Sequence, residues 1–250
     1  MRKEQKAHKF GLLGRHISYS FSRGYFSKKF EDEQLPHAYV NFDVNDIEAF
    51  IEILKHEKNL KGFNITIPYK EQIIPFLNSL NKHAENIGAV NTVKISKKGK
   101  LKGYNTDYYG FKKSLKPYLK PHHNKALILG TGGASKAIIY ALKQLDIKFN
   151  IVSRTKKSGV NYNYEDLDEN IINSHQIIIN CTPVGTFPKV DECPNIPYQF
   201  LLKTHLLYDL IYNPSETKFL SYGREADATT INGLKMLELQ AEKAWHIWNK

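Results

Sequence analysis

The stretch richest in chemistry is Gly130-Thr131-Gly132-Gly133-Ala134-Ser135, which follows an apolar run, Ala126 to Leu129, and precedes Ile138, Ala141, Leu142 and Leu145 at helical spacing. Strand, glycine turn and helix in that order let a dinucleotide pyrophosphate approach the backbone and rest on a helix N-terminus. Ser135 stands where the usual fingerprint has its third glycine, and a glycine cluster taken alone is equally compatible with a plain tight turn. About 20 residues beyond such glycines, an NAD-binding unit carries an acidic residue for the ribose 2′-hydroxyl. Here the strand Phe149 to Val152 runs instead into Ser153-Arg154-Thr155-Lys156-Lys157. A guanidinium at that place can stack on adenine and meet a 2′-phosphate through charge-assisted hydrogen bonds, so the charge pattern favours NADP over NAD. The plain alternative is an exposed basic loop.

A second set lies earlier in the chain. Gly62-Phe63-Asn64-Ile65-Thr66-Ile67-Pro68-Tyr69-Lys70 puts a lysine just past a strand end, at the rim where α/β sites form. A carbonyl that accepts a hydride becomes an alkoxide, and an ammonium there can supply the proton it needs. A solvated lysine at a helix start is the competing reading. Gly88-Ala89-Val90-Asn91-Thr92 and Gly103-Tyr104-Asn105-Thr106-Asp107 bring amide, hydroxyl and carboxylate groups to loops or strand ends. Asp107 is also a natural helix N-cap, and Ser20 and Ser22, within His16 to Ser22, can simply start the next helix.

These groups need elements to hold them. Strands are expected at about Phe10 to Leu13 and Ala38 to Phe42, with a helical segment between them. Asn45 to Leu54 carries Ile47, Phe50, Ile51 and Leu54 at helical spacing, with Asn45 and Glu48 as a capping pair. Phe63 to Ile67 reads as a third strand stopped by Pro68, and Thr92 to Ser96 with Leu101 to Tyr104 as a hairpin around Lys97-Lys98-Gly99. A helix from Asp107 to about Leu119 leads into Lys120 to Asn124, a polar breaker between domains. Beyond it, strands at Ala126 to Leu129, Phe149 to Val152, Ile177 to Asn180 and Leu206 to Leu210 alternate with helical stretches, as in a parallel doubly wound sheet. From Gly233 onward, Leu234, Leu237, Ala241, Ala244, Trp245 and Trp248 form one helical stripe that should dock on a core, that of the first domain being the candidate.

Composition narrows the partners. The 250 residues are 41% hydrophobic, as in a globular protein with room for two domains. The basic, polar start lacks the apolar core of a secretory signal, no apolar run is long enough to cross a bilayer, and Cys181 and Cys193 form neither a disulfide framework nor metal-site spacing. A cytoplasmic protein is expected, acting as a monomer or homodimer, with no membrane, nucleic-acid or metal partner. The formal net charge of +11 is spread over short groups such as Lys28-Lys29, Lys97-Lys98 and Lys112-Lys113 without a nucleic-acid motif. It reads as a solvated surface, or as attraction for small anionic substrates.

Taken together and in this order, these segments resemble the shikimate dehydrogenase family across essentially the whole chain. The family's Ser-x-Ser motif is similar to Ser20-Phe21-Ser22, its Asn-Val-Thr-x-Pro-x-Lys segment to Asn64 through Lys70, and its Ala-Val-Asn-Thr and Asn-Thr-Asp segments to Ala89–Thr92 and Asn105–Asp107. The glycine turn, Ser153-Arg154-Thr155, Asn180-Cys181-Thr182-Pro183, Tyr208 through Pro214 and Asn232-Gly233-Leu234 through Gln240 complete the series. The resemblance implies an α/β fold of two domains. Residues 1–107 with 230–250 would be an α/β substrate-binding domain completed by the C-terminal helix, and residues 108–229 a doubly wound Rossmann-like NADP-binding domain.

The resemblance also assigns roles. Lys70 and Asp107 become the catalytic pair, Thr66, Asn91 and Gln240 hold substrate hydroxyls, Ser20 and Ser22 hold a carboxylate, and Tyr212 joins the substrate side. Gly130, Thr131, Gly132, Gly133, Ala134, Ser153, Arg154, Thr155, Cys181, Thr182, Pro183 and Gly233 fall to the cofactor. The implied activity is the reversible NADPH-dependent reduction of 3-dehydroshikimate to shikimate, on the route to chorismate and the aromatic amino acids. The sequence departs from the family at Tyr19, where His is common, at Arg23, where Pro is, and at Asn232, where Asp is frequent. Competing expectations are a relative that also takes quinate or uses NAD, another hydride enzyme on the same scaffold, and a non-catalytic basic module. The Lys70 and Asp107 pair and the complete glycine turn oppose the last.

Overall fold

A computed structural model describes residues 6–18, 20–155 and 157–250, so the Tyr19 departure and Lys156 of the basic loop lie outside the described residues. The chain forms two compact units, Met1–Thr106 with Ala241–Lys250, and Asp107–Gln240. The first division falls one residue before Asp107; the second falls at Gln240, within the last helix, whereas the sequence expectation places the return near 230.

The first unit begins with β1 (Lys9–Gly14), α1 (Phe21–Asp32), β2 (Ala38–Asp43), α2 (Ile47–His56) and β3 (Leu60–Ile65). It continues with β4 (Ser79–Leu80), α3 (Lys82–Ile87), β5 (Thr92–Ile95) and β6 (Leu101–Tyr104). Its six-stranded sheet has the order β2-β1-β3-β5-β6-β4. β1 pairs in parallel with both β2 and β3, whereas β5 runs antiparallel to β3 and to β6. The expected hairpin is present: Gly99 takes φ +73° and donates to Ser96 O at 2.9 Å, a left-handed backbone that glycine adopts without a Cβ penalty.

Two local expectations need correction. The cap of α2 is Asp46, not Asn45: Asp46 is extended and its carboxylate accepts from Ala49 N at 2.8 Å, the bond an N-cap makes to the third helical residue. The third strand ends at Ile65 rather than Ile67, because Pro68 brings no N–H and constrains the residue before it.

The docking expected of the C-terminal stripe holds for its second half. Ala241, Ala244 and Trp248 are buried in one cluster with Phe10, Phe26, Phe30 and Tyr39 of the same unit. The Trp248 indole N–H donates to Val93 O at 2.9 Å, and its ring lies so close over β3 that only a glycine fits at position 62. Lys29, 2.9 Å from the Glu242 carboxylate, and Tyr25, which bonds the same carboxylate, clip the helix at its polar edge. Leu234 at the other end of the stripe is exposed, and Met236 is buried in its place.

The second unit contains α4 (Asp107–Leu115), β7 (Lys125–Leu129), α5 (Gly133–Lys143), β8 (Lys148–Val152), α6 (Glu169–Asn173) and β9 (Ile177–Asn180). β10 (Leu206–Asp209), α7 (Lys218–Glu225), β11 (Thr229–Ile231) and α8 (Leu234–Asn249) follow, the last contributing residues to both units. Helix α4 ends at Leu115, earlier than expected, where Pro117 turns the chain into a single 3-10 turn. The five strands are all parallel, in the order β11-β10-β9-β7-β8. Ala126, Ile128, Ile177, Ile179, Leu206 and Tyr208 pack on one face, while Leu127, Leu129, Ile178 and Leu207 pack on the other. Burial on both faces is why these strands read as continuous apolar runs. Among the described residues no helix is long and apolar enough to cross a membrane, and no group of three or more His, Cys, Asp or Glu is placed to hold a metal ion.

Candidate active site

In the second unit the strand order reverses between β7 and β9, so the loops leaving their carboxyl ends part and open a crevice where α/β sheets take ligands. The glycine turn after β7 and Thr182 of the loop after β9 meet there. Gly130 leaves β7 with φ +103°, and a Cβ on it would come 2.9 Å from Thr182 of the β9 loop, so the two loops approach through a glycine. Gly132 caps α5 with an extended backbone and has no neighbour within 4 Å of where a Cβ would sit, leaving helix-terminal N–H groups open to an anion. Ser135, in place of the third glycine, is buried and donates to Gly132 O at 2.6 Å, which ties the turn to the helix. The residues present therefore fit a dinucleotide pyrophosphate.

At the end of β8, Ser153 is buried and Arg154 and Thr155 are exposed. Among the described residues no carboxylate pairs with Arg154, and its charge acts on Tyr164, whose phenol is nonetheless pushed up by burial. An exposed guanidinium with no acidic neighbour at the strand end fits a 2′-phosphate.

A buried polar knot sets the next two loops. The Asn180 side-chain oxygen accepts from Thr182 N at 3.0 Å and from the Thr182 hydroxyl at 2.7 Å, while its amide donates to Asp209 Oδ1 at 3.1 Å. Asp209 also accepts from Ile211 N at 3.0 Å and from the Thr217 hydroxyl at 2.6 Å. Burial raises the Asp209 pKa to about 6, against these three hydrogen bonds. Cys181 is held beside Leu129 O by its backbone N–H at 2.9 Å, and burial pushes its thiol up, with the nearby Asp209 charge adding to that. It serves the loop through its backbone and not as a thiolate. Pro183 follows, and burial likewise raises the phenol of Tyr212, three residues past β10. Gly233 donates to Ile211 O at 2.9 Å, and a side chain there would collide with the Leu210 carbonyl. The Asn232 side-chain oxygen accepts from Leu234 N at 3.2 Å at the start of α8. Asp107, buried at the first turn of α4, and Gln240, buried on α8, belong to the same unit, and Gly110 lets those two helices touch.

In the first unit a continuous polar chain runs beneath the sheet's carboxyl edge. The Ser22 hydroxyl bonds to Tyr39, whose phenol, pushed well up by burial, donates to Asn64 Oδ1 at 2.8 Å. Asn64 donates to Thr92 Oγ1 at 3.0 Å and to Asn91 O at 3.2 Å. The Asn91 amide donates to Thr106 Oγ1 at 2.9 Å, and its oxygen accepts from Thr106 N at 2.7 Å. Val90 N donates to Lys70 O at 2.8 Å, so residues 90 and 91 hold both the lysine segment and the chain leading into Asp107. Thr66 is tied to Leu13 O at 2.9 Å and starts the turn whose Tyr69 N bonds back to it. Ser20 caps α1, accepting from Arg23 N at 3.1 Å, so the structural reading of this serine is realised. Its hydroxyl proton remains available to a ligand.

Asn64, Asn180 and Asp209 lie within the family-like segments with no role assigned to them, and Tyr39 lies in none of those segments. The only signal for them was a polar residue closing or interrupting an apolar strand.

Fold and site together define an α/β dehydrogenase with a substrate-binding domain and a Rossmann-like nucleotide-binding domain. A model of the shikimate dehydrogenase substrate binding domain matches residues 12–93. A curated shikimate dehydrogenase (NADP(+)) of Clostridium botulinum is 41% identical over 248 residues, covering 95% of each chain. The crystal structure of shikimate dehydrogenase from Aquifex aeolicus superposes with a TM-score of 0.86 at 35% identity, over 97% of this chain and 92% of that one. The enzyme from Thermus thermophilus, solved with NADP(H) and shikimate, gives 0.85 at 28% identity, over 96% and 93%. The chain belongs to the shikimate dehydrogenase family.

Proposed function

We propose that this chain catalyses the reversible reduction of 3-dehydroshikimate to shikimate with NADPH, a step toward chorismate and the aromatic amino acids, in the cytoplasm. When bound, the dihydronicotinamide supplies the hydride that reduces the substrate carbonyl. Lys70 donates the proton that the resulting alkoxide needs and takes it back in the oxidative direction. Asp107 orients the ammonium through a charge-assisted hydrogen bond. Thr66, Asn91 and Gln240 hold the ring hydroxyls, Ser20 and Ser22 hold the carboxylate, and Tyr212 bounds the same substrate. Residues 130–134 and 153–155, with 181–183 and Gly233, seat the dinucleotide, and Arg154 answers its 2′-phosphate.

The observation that carries this reading is the clamp on residues 90 and 91. Val90 fixes the lysine segment at 2.8 Å, and Asn91 fixes Thr106, one residue before Asp107, at 2.7 and 2.9 Å. This supports the reading because one segment, carrying an amide suited to a hydroxyl, bonds both the lysine segment and Thr106. Initial rates with shikimate and with quinate, each with NADP and with NAD, test the proposal. The shikimate and NADP pair should have the highest kcat/KM; a higher value for quinate, or for NAD, would replace the substrate or the cofactor named here.

A further inference from the structure

The first unit carries a cavity of about 810 Å³ at the end of β3 opposite Thr66. It is walled by the start of β3 (Leu60, Lys61), the end of β5 (Ile95), the β5–β6 turn (Lys97) and α2 (Leu54), with Phe76 on its rim. Lys61 and Thr66 are five residues apart on one extended segment, so roughly 16 Å separates this cavity from the Thr66 end of β3.

Its lining combines apolar and cationic side chains. Leu54, Phe76 and Ile95 supply the apolar surface, with Phe76 38% exposed, while Lys6, Lys55, Lys58, Lys61 and Lys97 surround it. Among the described residues the one carboxylate in the wall, Glu57, is engaged 2.7 Å away by Lys9, and Lys55 is 2.5 Å from Glu52. Among the described residues Lys58, Lys61 and Lys97 make no ion pair. The Lys61 charge is felt nearby: burial first, and then Lys61, lowers the pKa of His8 and of Lys94, and His37 is lowered by burial, His8 and Lys61. Like charges gathered on a concave apolar wall raise the local concentration of anions, and the volume lies within the range of small-molecule sites.

We propose that this cavity binds a small aromatic anion, its ring against Leu54, Phe76 and Ile95 and its acidic group against Lys58, Lys61 and Lys97, at a site separate from that of Lys70 and Asn91. The proposal does not depend on the reaction assigned above. The probe is 8-anilinonaphthalene-1-sulfonate, titrated calorimetrically into the full-length protein held at saturating shikimate and NADP, beside the uncharged N-phenyl-1-naphthylamine. Expected is one site that persists with substrate and cofactor present and prefers the sulfonate at least tenfold. It should weaken at least tenfold in a combined Lys58→Glu, Lys61→Glu, Lys97→Glu variant whose turnover is unchanged. A milder Lys61→Gln, Lys97→Gln variant should weaken it severalfold, and covers the case in which charge reversal disturbs folding. Loss of the site on adding shikimate and NADP, equal binding of the neutral dye, or unaltered affinity in the milder variant would overturn it.

Discussion

Asp209→Asn removes a buried charge from the second unit and should change how stability depends on pH. Asp209 is fully buried, and its pKa is raised from 3.8 to about 6, chiefly by burial. In the unfolded chain the carboxyl titrates near its ordinary value, so between 3.8 and about 6 the folded state holds a proton that the unfolded state has released. The contribution of Asp209 to stability is therefore complete below that window and is lost as pH rises through it. With the shift of about two units and 1.36 kcal/mol per unit, the loss is about 3 kcal/mol. Asparagine preserves the acceptor facing Ile211 N and Asn180, and its amide can donate to the Thr217 hydroxyl that Asp209 accepts from, so the fold is retained without the titration. Urea unfolding of both proteins at closely spaced pH values, followed by circular dichroism, isolates the effect, because every other titrating group is common to both. The stability of the parent minus that of Asp209→Asn should fall by about 3 kcal/mol across the window and stay flat above it. A difference independent of pH, or one that rises, refutes the reasoning.

Lys70→Ala should lower kcat by about 10²–10⁴-fold with little change in the KM for NADP, and combining it with Asp107→Asn should be less than additive; retention of most of the turnover removes Lys70 from the chemistry. Ser20→Ala should cost about 0.5–2 kcal/mol of stability through the lost α1 cap and also weaken shikimate binding, whereas Ser22→Ala should weaken binding while leaving that cap whole, as calorimetry with shikimate and thermal melts will show. Arg154→Ala should raise the KM for NADP and leave that for NAD little altered, so an unchanged ratio of the two kcat/KM values defeats the phosphate assignment. Gly62→Ala should destabilise the first unit by about 1–3 kcal/mol, since its methyl collides with the Trp248 indole and lies 2.7 Å from Val93 O; an unchanged urea midpoint contradicts that packing.

Much of this protein was legible from residues alone, because its signals are local. The apolar runs at Ala126 to Leu129 and Ile177 to Asn180 are strands covered on both faces, and their composition says so before any fold is known. The glycine turn and the basic residues after Phe149 to Val152 point to a nucleotide from the residues alone, since backbone approach and charge are properties of the residues themselves. Order along the chain brought out the family. Element ends were less legible, as Asp46 in place of Asn45 shows: neighbouring residues of similar capping ability differ only in the backbone angle the fold gives them.

What the tertiary structure alone decided is which distant groups share a hydrogen bond. Asn64 meets Tyr39 from 25 positions away and Thr92 from 28, and Asn180 meets Asp209 from 29, separations at which no periodicity or local propensity carries information. Trp248 reaches Val93 across 155 positions and fills a space left by Gly62, so the need for glycine there becomes visible only once the last helix has docked. Local sequence specifies propensity and charge, whereas pairing of buried polar groups is settled by strand order and register, which bring together residues the chain itself keeps far apart.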